Sequence, residues 1–126
     1  MNVIGDVVVW ALITSYCPSY ACGALDHGIT TSGRRAVEGY TIACPPDLPF
    51  DTRVLIEGVG LRTCEDRGSA IQGRHLDLFF GSMTESDRGL RRAIDFSRFR
   101  QTRRVRIVWR PDAPTKLPPW DPNHSE

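Results

Sequence analysis

Glycine and proline cut the middle of this chain into runs of a few residues, and that punctuation limits what it can fold into. Tyr40 to Cys44 is stopped by Pro45 and Pro46. Arg53 to Glu57 (RVLIE) is turned at Gly58 and Gly60 into Leu61 to Glu65. After RGSAIQG a run from His75 to Phe80 follows. Short runs rich in β-branched and aromatic residues, bounded by turn formers, read as strands. Val7 to Tyr16, ended by Pro18, adds one more, and the alternating Arg104 to Arg110 (RVRIVWR) another. A single helix is expected after Ser82, where Glu85 three residues on completes a capping box and acids precede Arg88, Arg91 and Arg92. Six short strands, one short helix and no internal repeat predict a mainly β fold, a small barrel rather than a βαβ sheet.

One core suffices for a chain of 126 residues. Residues 1–110 are expected to form it. Residues 111–126 form a Pro-rich C-terminal tail, since the stretch from Arg110 holds five of the nine prolines and reads as a docking arm rather than core. Residues 17–39, with five glycines or prolines, read as a long functional loop. The N-terminal stretch has no basic n-region and no small-residue cleavage pattern, so no signal peptide is expected. Its apolar run, Val7 to Ile13, is too short for a membrane span. Net charge is +1, which points to no global electrostatic partner. Yet nine of the 16 basic residues fall between Arg88 and Arg110, with Asp95 the only acid among them. On charge alone that local patch leaves cell wall or nucleic acid open, or else a solvated face, and no nucleic acid is expected as the partner.

The four cysteines, Cys17, Cys22, Cys44 and Cys64, allow three pairings. Closure of Cys17 with Cys22 and of Cys44 with Cys64 is one reading, and four buried thiols the other. No CxxC occurs, and His27, His75 and His124 lack zinc-finger spacing, so no metal is expected.

The chemistry concentrates between Cys64 and Phe80. In HLDLFF the side chains alternate, placing Leu76, Leu78 and Phe80 on a core face and His75, Asp77 and Phe79 on the other. A carboxyl beside a ring that excludes water has its pKa raised, as a general acid requires. Asp66 ends the preceding strand, where Gly68 and Gly73 let a polymer approach. Two acids with different surroundings are a recurrent arrangement in glycosidic bond cleavage. The plainer reading has Asp66 capping its turn and pairing with Arg67 or Arg74. Thr30, Thr31 and Ser32 are expected as sugar contacts or as ordinary turn hydroxyls, and His75 as a polar residue lining the groove. Tyr16 and Tyr40 read either as platforms for sugar rings or as packing.

Several of these residues fall in a recognisable pattern. Gly39, Tyr40 and Thr41, then Pro49 and Thr52, Glu65 to Gly68, Ala70 to Gly73 and last Asp77 resemble the 3D (Asp-Asp-Asp) domain and the catalytic barrel of the MltA-type lytic transglycosylases. Upstream, DHGITTSG (Asp26 to Gly33) is similar to a loop of the 3D group. Two positions depart from the pattern. The family's first aspartate falls on Pro45, with Asp47 two residues later, and the usual glycine before Thr52 is Asp51.

The resemblance implies a six-stranded double-psi β-barrel with a groove for a peptidoglycan glycan strand. By the same analogy Asp77 is the catalytic acid and base, with Asp66 beside it. The implied reaction is non-hydrolytic cleavage of the MurNAc–GlcNAc β-1,4 bond to a 1,6-anhydro product, without metal or organic cofactor. A phage lysin or tail-associated wall enzyme, released by lysis or carried on a virion, is the implied setting, with virion or tail proteins as partners of the C-terminal tail. A muramidase using water, a non-catalytic wall-binding or expansin-like module, and a structural virion module are the alternatives.

Overall fold

The computed structural model describes residues 8–16, 29–80 and 101–111. The helix expected after Ser82, the Cys17 and Cys22 pair, and the tail beyond Pro111 lie outside the described residues. Six strands are present: β1 (Val8–Tyr16), β2 (Thr41–Ala43), β3 (Arg53–Ile56), β4 (Gly60–Asp66), β5 (His75–Phe79) and β6 (Gln101–Trp109). Each expected strand is found, shifted by three residues at most. The largest shift is in β6, which starts at Gln101 rather than Arg104 and so gains a pairing with the C-terminal half of β1.

The strands close into a barrel in the order β1-β5-β2-β4-β3-β6. Two neighbouring pairs are parallel, β1 with β5 and β2 with β4, and the remaining four are antiparallel. Parallel neighbours require crossovers, which is why strands distant in sequence meet here. Closure of this mixed sheet gives the double-psi type of barrel and leaves no free edge among the six strands.

Alternation fills the interior. Val9, Ala11 and Ile13 of β1, Val54 and Ile56 of β3, Leu76 and Leu78 of β5, and Val105 and Ile107 of β6 are all buried in one cluster. Ile42, Cys44, Leu48 and Cys64 complete it, and Phe80 packs against it partly buried. Burying each Leu or Ile contributes roughly 1.5–3 kcal/mol. Inside this cluster Cys44 and Cys64 form a disulfide with Cα atoms 5.6 Å apart. The bridge ties the residue after β2 to Cys64, two residues before the end of β4.

A second, smaller cluster lies on the opposite face of the sheet: Tyr16, Ala36, Ala43, Ile71 and Phe79. Tyr16 and Phe79 meet edge to face with centroids 5.5 Å apart. The chain around Ala36 and Ile71 covers this face, so Phe79, expected beside a groove, is buried at 3% exposure.

Candidate active site

The two acids are placed by strand register. Across the outer face run Thr14 on β1, Asp77 on β5, Ala43 on β2 and Asp66 on β4, each the Cα partner of the next. One strand separates the acids, so their Cα atoms stand roughly 10 Å apart. The residue between them, Ala43, is itself buried at 3% exposure in the cluster with Tyr16, Ala36, Ile71 and Phe79. The row depends on an irregularity. Ile42 pairs with Cys64 but Ala43 pairs with Asp66, so Glu65 is an extra residue in β4. Without that bulge, alternation would turn Asp66 toward the barrel interior; with it, Asp66 shares the face of Asp77.

Asp66 is 3% exposed and takes four hydrogen bonds. The Tyr16 hydroxyl donates to Oδ2 at 2.9 Å. The Thr31 amide and hydroxyl both donate to Oδ1 at 2.9 Å, as does the Arg67 amide. A buried carboxylate needs such partners, since leaving it unsatisfied costs several kcal/mol. Tyr16 is therefore no exposed platform for a sugar. It is 6% exposed, and burial first, then the Asp66 charge, push its phenol far above its ordinary pKa.

Asp77 has different company. Its Oδ1 accepts the Thr14 hydroxyl at 2.7 Å, and the residue is only partly buried. Burial raises its carboxyl to about 6, and the nearby Asp66 charge adds to the rise, while the Thr14 hydrogen bond opposes it. This is the direction expected of an acid kept beside Phe79. A carboxyl at that value is still partly protonated near neutrality.

His75, one strand step before Asp77, does not point freely into a groove. Its Nε2 lies 2.8 Å from Thr14 Oγ1 and its Nδ1 3.2 Å from the Ala70 carbonyl. Gly68 is exposed and accepts the Ile71 amide in its turn; a Cβ there would meet Ile71 Cγ1 at 3.0 Å, which favours glycine. Thr30 is 4% exposed, and its hydroxyl bonds the Arg34 carbonyl and the Ser32 hydroxyl, each at 2.8 Å. Ser32 donates its amide to the Glu65 carbonyl at 3.1 Å. The Thr30 hydroxyl thus closes the loop on itself, while that of Thr31 holds the loop onto β4.

Thr14 was not singled out from sequence, and Glu65 entered only as a residue of the 3D-like pattern, with no role given to it. Glu65 is buried at 3% exposure, accepts the Thr41 hydroxyl at 2.7 Å and lies 3.4 Å from Arg34. Arg34 also grips Asp51 through both of its terminal nitrogens. That pairing holds the Asp51 carboxyl below its ordinary range. Asp51 has a φ of 75°, which accounts for the glycine usual at this position; aspartate is one of the few side chains that visit the left-handed region readily. The Arg67 guanidinium bonds the Leu48 carbonyl at 2.8 Å and lies 4.2 Å over the Phe50 ring. It therefore organises the segment before β3; at Asp66 the Arg67 amide serves the carboxylate and its Nη1 the backbone carbonyl, at 3.3 Å. Asp47 acts electrostatically on that guanidinium.

Tyr40 is 42% exposed and lines a different concavity, a cleft of about 460 Å³ with Asp51, Arg53, Leu61, Val108 and Trp109. The Arg patch is divided in the part described. Arg104 pairs with Glu57, Arg103 bonds Gln101 and the Glu57 carbonyl, and Arg110 is 2% exposed. Among the described residues no group of three metal-binding side chains occurs, and there is no helix long and apolar enough to cross a membrane.

Residues 40–99 match the family model of the 3D domain. The curated proteins contain no match. The crystal structure of MltA from E. coli is similar, with a TM-score of 0.54 and 19% sequence identity, over 68% of this chain and 28% of that one. The chain thus spans little more than a quarter of the MltA chain, and at this identity the likeness concerns the fold. Residues 40–99 thus resemble the 3D domain, and the barrel has a fold like that of MltA.

Proposed function

We propose that the protein is a peptidoglycan lytic transglycosylase with Asp77 as its acid and base. The observation that carries this reading is the Asp77 carboxyl, partly accessible yet raised to about 6 by burial and by Asp66 across Ala43. The 3D-domain match and the MltA-like fold supply the substrate class. Neutral Asp77 donates its proton to the glycosidic oxygen as an oxocarbenium-like centre forms at C1 of the muramoyl residue. The resulting carboxylate then takes the proton of the muramoyl C6 hydroxyl, whose oxygen closes on C1 to give the 1,6-anhydro product. Acid and base are one group because no water has to be activated. Asp66, held ready by Tyr16, Thr31 and Arg67, contributes a fixed negative charge that favours both the protonated form of Asp77 and the developing cation. Ser32, Gly68 and Tyr40 are proposed glycan contacts, the last through its separate cleft.

Digestion of purified peptidoglycan in heavy-oxygen water tests the reaction. The expected products are anhydro-muropeptides free of solvent oxygen. Label at the new muramoyl C1 would identify a hydrolase, and no soluble fragment at all would leave the barrel a binding module.

A further inference from the structure

Thr14 Oγ1 sits between two titratable groups, 2.7 Å from Asp77 Oδ1 and 2.8 Å from His75 Nε2. A hydroxyl has one hydrogen to give, so it donates to one neighbour and accepts from the other. The far side of the ring decides what is possible. His75 Nδ1 faces the Ala70 carbonyl at 3.2 Å, and a carbonyl only accepts, so Nδ1 carries a hydrogen. Two arrangements then satisfy every atom. In one, Thr14 donates to an ionised Asp77 and accepts from Nε2–H of a charged imidazolium. In the other, neutral Asp77 donates to Thr14, and Thr14 donates to the bare Nε2 of a neutral ring. The two hold the same number of protons. They interconvert when Nε2–H breaks, a new O–H forms on Thr14, and the original Thr14 proton moves to Asp77 Oδ1.

We propose that Thr14 is a proton relay joining His75 to Asp77, and that through it His75 restores the acid form whenever the free protein has lost the Asp77 proton, since within a turnover the C6 hydroxyl returns the proton itself. The proposal rests on the transglycosylase reading for its purpose but not for its chemistry. Its geometric basis is the parallel register of β1 and β5, which sets Thr14 beside Asp77 and brings His75 within reach one strand step away. Both residues are half-buried, but the far nitrogen of the imidazole reaches the exposed turn at Ala70, so the ring is the inlet. The charged and titratable groups around the relay are Asp66 on β4 and Tyr16 on β1, with Glu65 beyond Asp66 and Arg74 next to His75 in the chain. Thr14 and His75 act through Asp77 and are positioning residues.

The test follows the His75 ring and the Asp77 carboxyl by NMR across pH, in the parent protein and in Thr14→Val, Thr14→Ser and Asp77→Asn. In the parent the two groups should share two macroscopic steps, as coupled sites do. Thr14→Val should separate them into independent single titrations, Thr14→Ser should restore the coupling, and Asp77→Asn should leave His75 one simple step. In wall-clearing assays Thr14→Val should lose about tenfold or more near pH 7, within the usual worth of a positioned proton donor, and recover part of it at pH 5. Identical His75 titration in parent, Thr14→Val and Asp77→Asn would overturn the relay, as would a Thr14→Ser variant as uncoupled as Thr14→Val. Solvent label in the digestion products, with the NMR coupling intact, would overturn the reaction assignment and leave the relay standing.

Discussion

The two carboxylates occupy one row of the barrel and live in opposite surroundings. Asp66 is sealed, with donors arriving from β1, from the segment around Thr31 and from its own turn. Asp77 has one threonine hydroxyl and a half-buried position beside the small, buried Ala43. Saturation holds the first group still, while scarcity leaves the second free to gain and lose a proton. The difference divides the labour: a fixed charge in one place and a moving proton in the other.

The most direct way to break that division is Asp77→Asn, which keeps shape and removes the titratable proton. Lysis of peptidoglycan should fall by about 10²–10⁴-fold, the usual worth of a positioned acid. Near-parental clearing by a variant of unchanged melting behaviour would end the assignment of Asp77. In the parent, activity should decline as pH rises through about 6, since the acid form is then lost.

Next in size is the disulfide beneath Asp66. Cys44 donates its amide to the Asp66 carbonyl, and Cys64 lies two residues before Asp66, on the near side of the bulge. Replacing both cysteines by alanine should cost about 2–4 kcal/mol on the loop-entropy model. Urea unfolding of the two proteins measures it directly. A loss confined to stability, with activity per folded molecule unchanged, would show that the bulge holds without the bridge.

The comparison predicts opposite signs for two conservative changes. Tyr16→Phe removes one donor from a buried carboxylate and should destabilise by about 1.5–3 kcal/mol. Asp77→Asn should stabilise at pH 8, by something on the order of 2 kcal/mol. The sign follows from the raised carboxyl. The folded state binds the proton more tightly than the unfolded chain, so stability is full below about pH 4 and is lost as pH rises through about 6. The advantage of the asparagine variant should therefore vanish near pH 4. Melting curves of parent and both variants at pH 4 and pH 8 check the pair, and equal signs at pH 8 would erase the distinction between the two sites.

The smallest effect belongs to Asp51→Gly. The ion pair with Arg34 is half-exposed, with side chains 49% and 45% accessible, so its loss costs little. Glycine at a φ of 75° returns a comparable amount. Thermal melting should move little. A large drop would mean that the Arg34 link to Glu65, and through it the Thr31 segment on Asp66, depends on Asp51.

Much of this was legible along the chain. The turns at Pro45, Gly58 and Gly60 marked the strands, the alternation of HLDLFF separated the Leu76 face from the Asp77 face, and the ring of Phe79 pointed to a raised carboxyl. Thr14 was invisible in the same reading, because its partner lies 63 residues away and a threonine in a strand carries no signature of its own. Tyr16 was open to two readings for the same reason: strand position says which face a ring takes, and the loops that cover that face come from elsewhere in the chain.

Turn chemistry and side-chain alternation are local, and so the amino-acid sequence by itself determined six strands, their inner faces and an acid set among apolar neighbours. Register is not local. A slip of one residue exchanges the faces of a strand, and here closure of the barrel and the extra residue Glu65 in β4 decide that Asp66 turns outward to stand in line with Ala43, Asp77 and Thr14. No stretch of the chain contains that row, because its four members come from four strands and meet only when the parallel pairs β1–β5 and β2–β4 form.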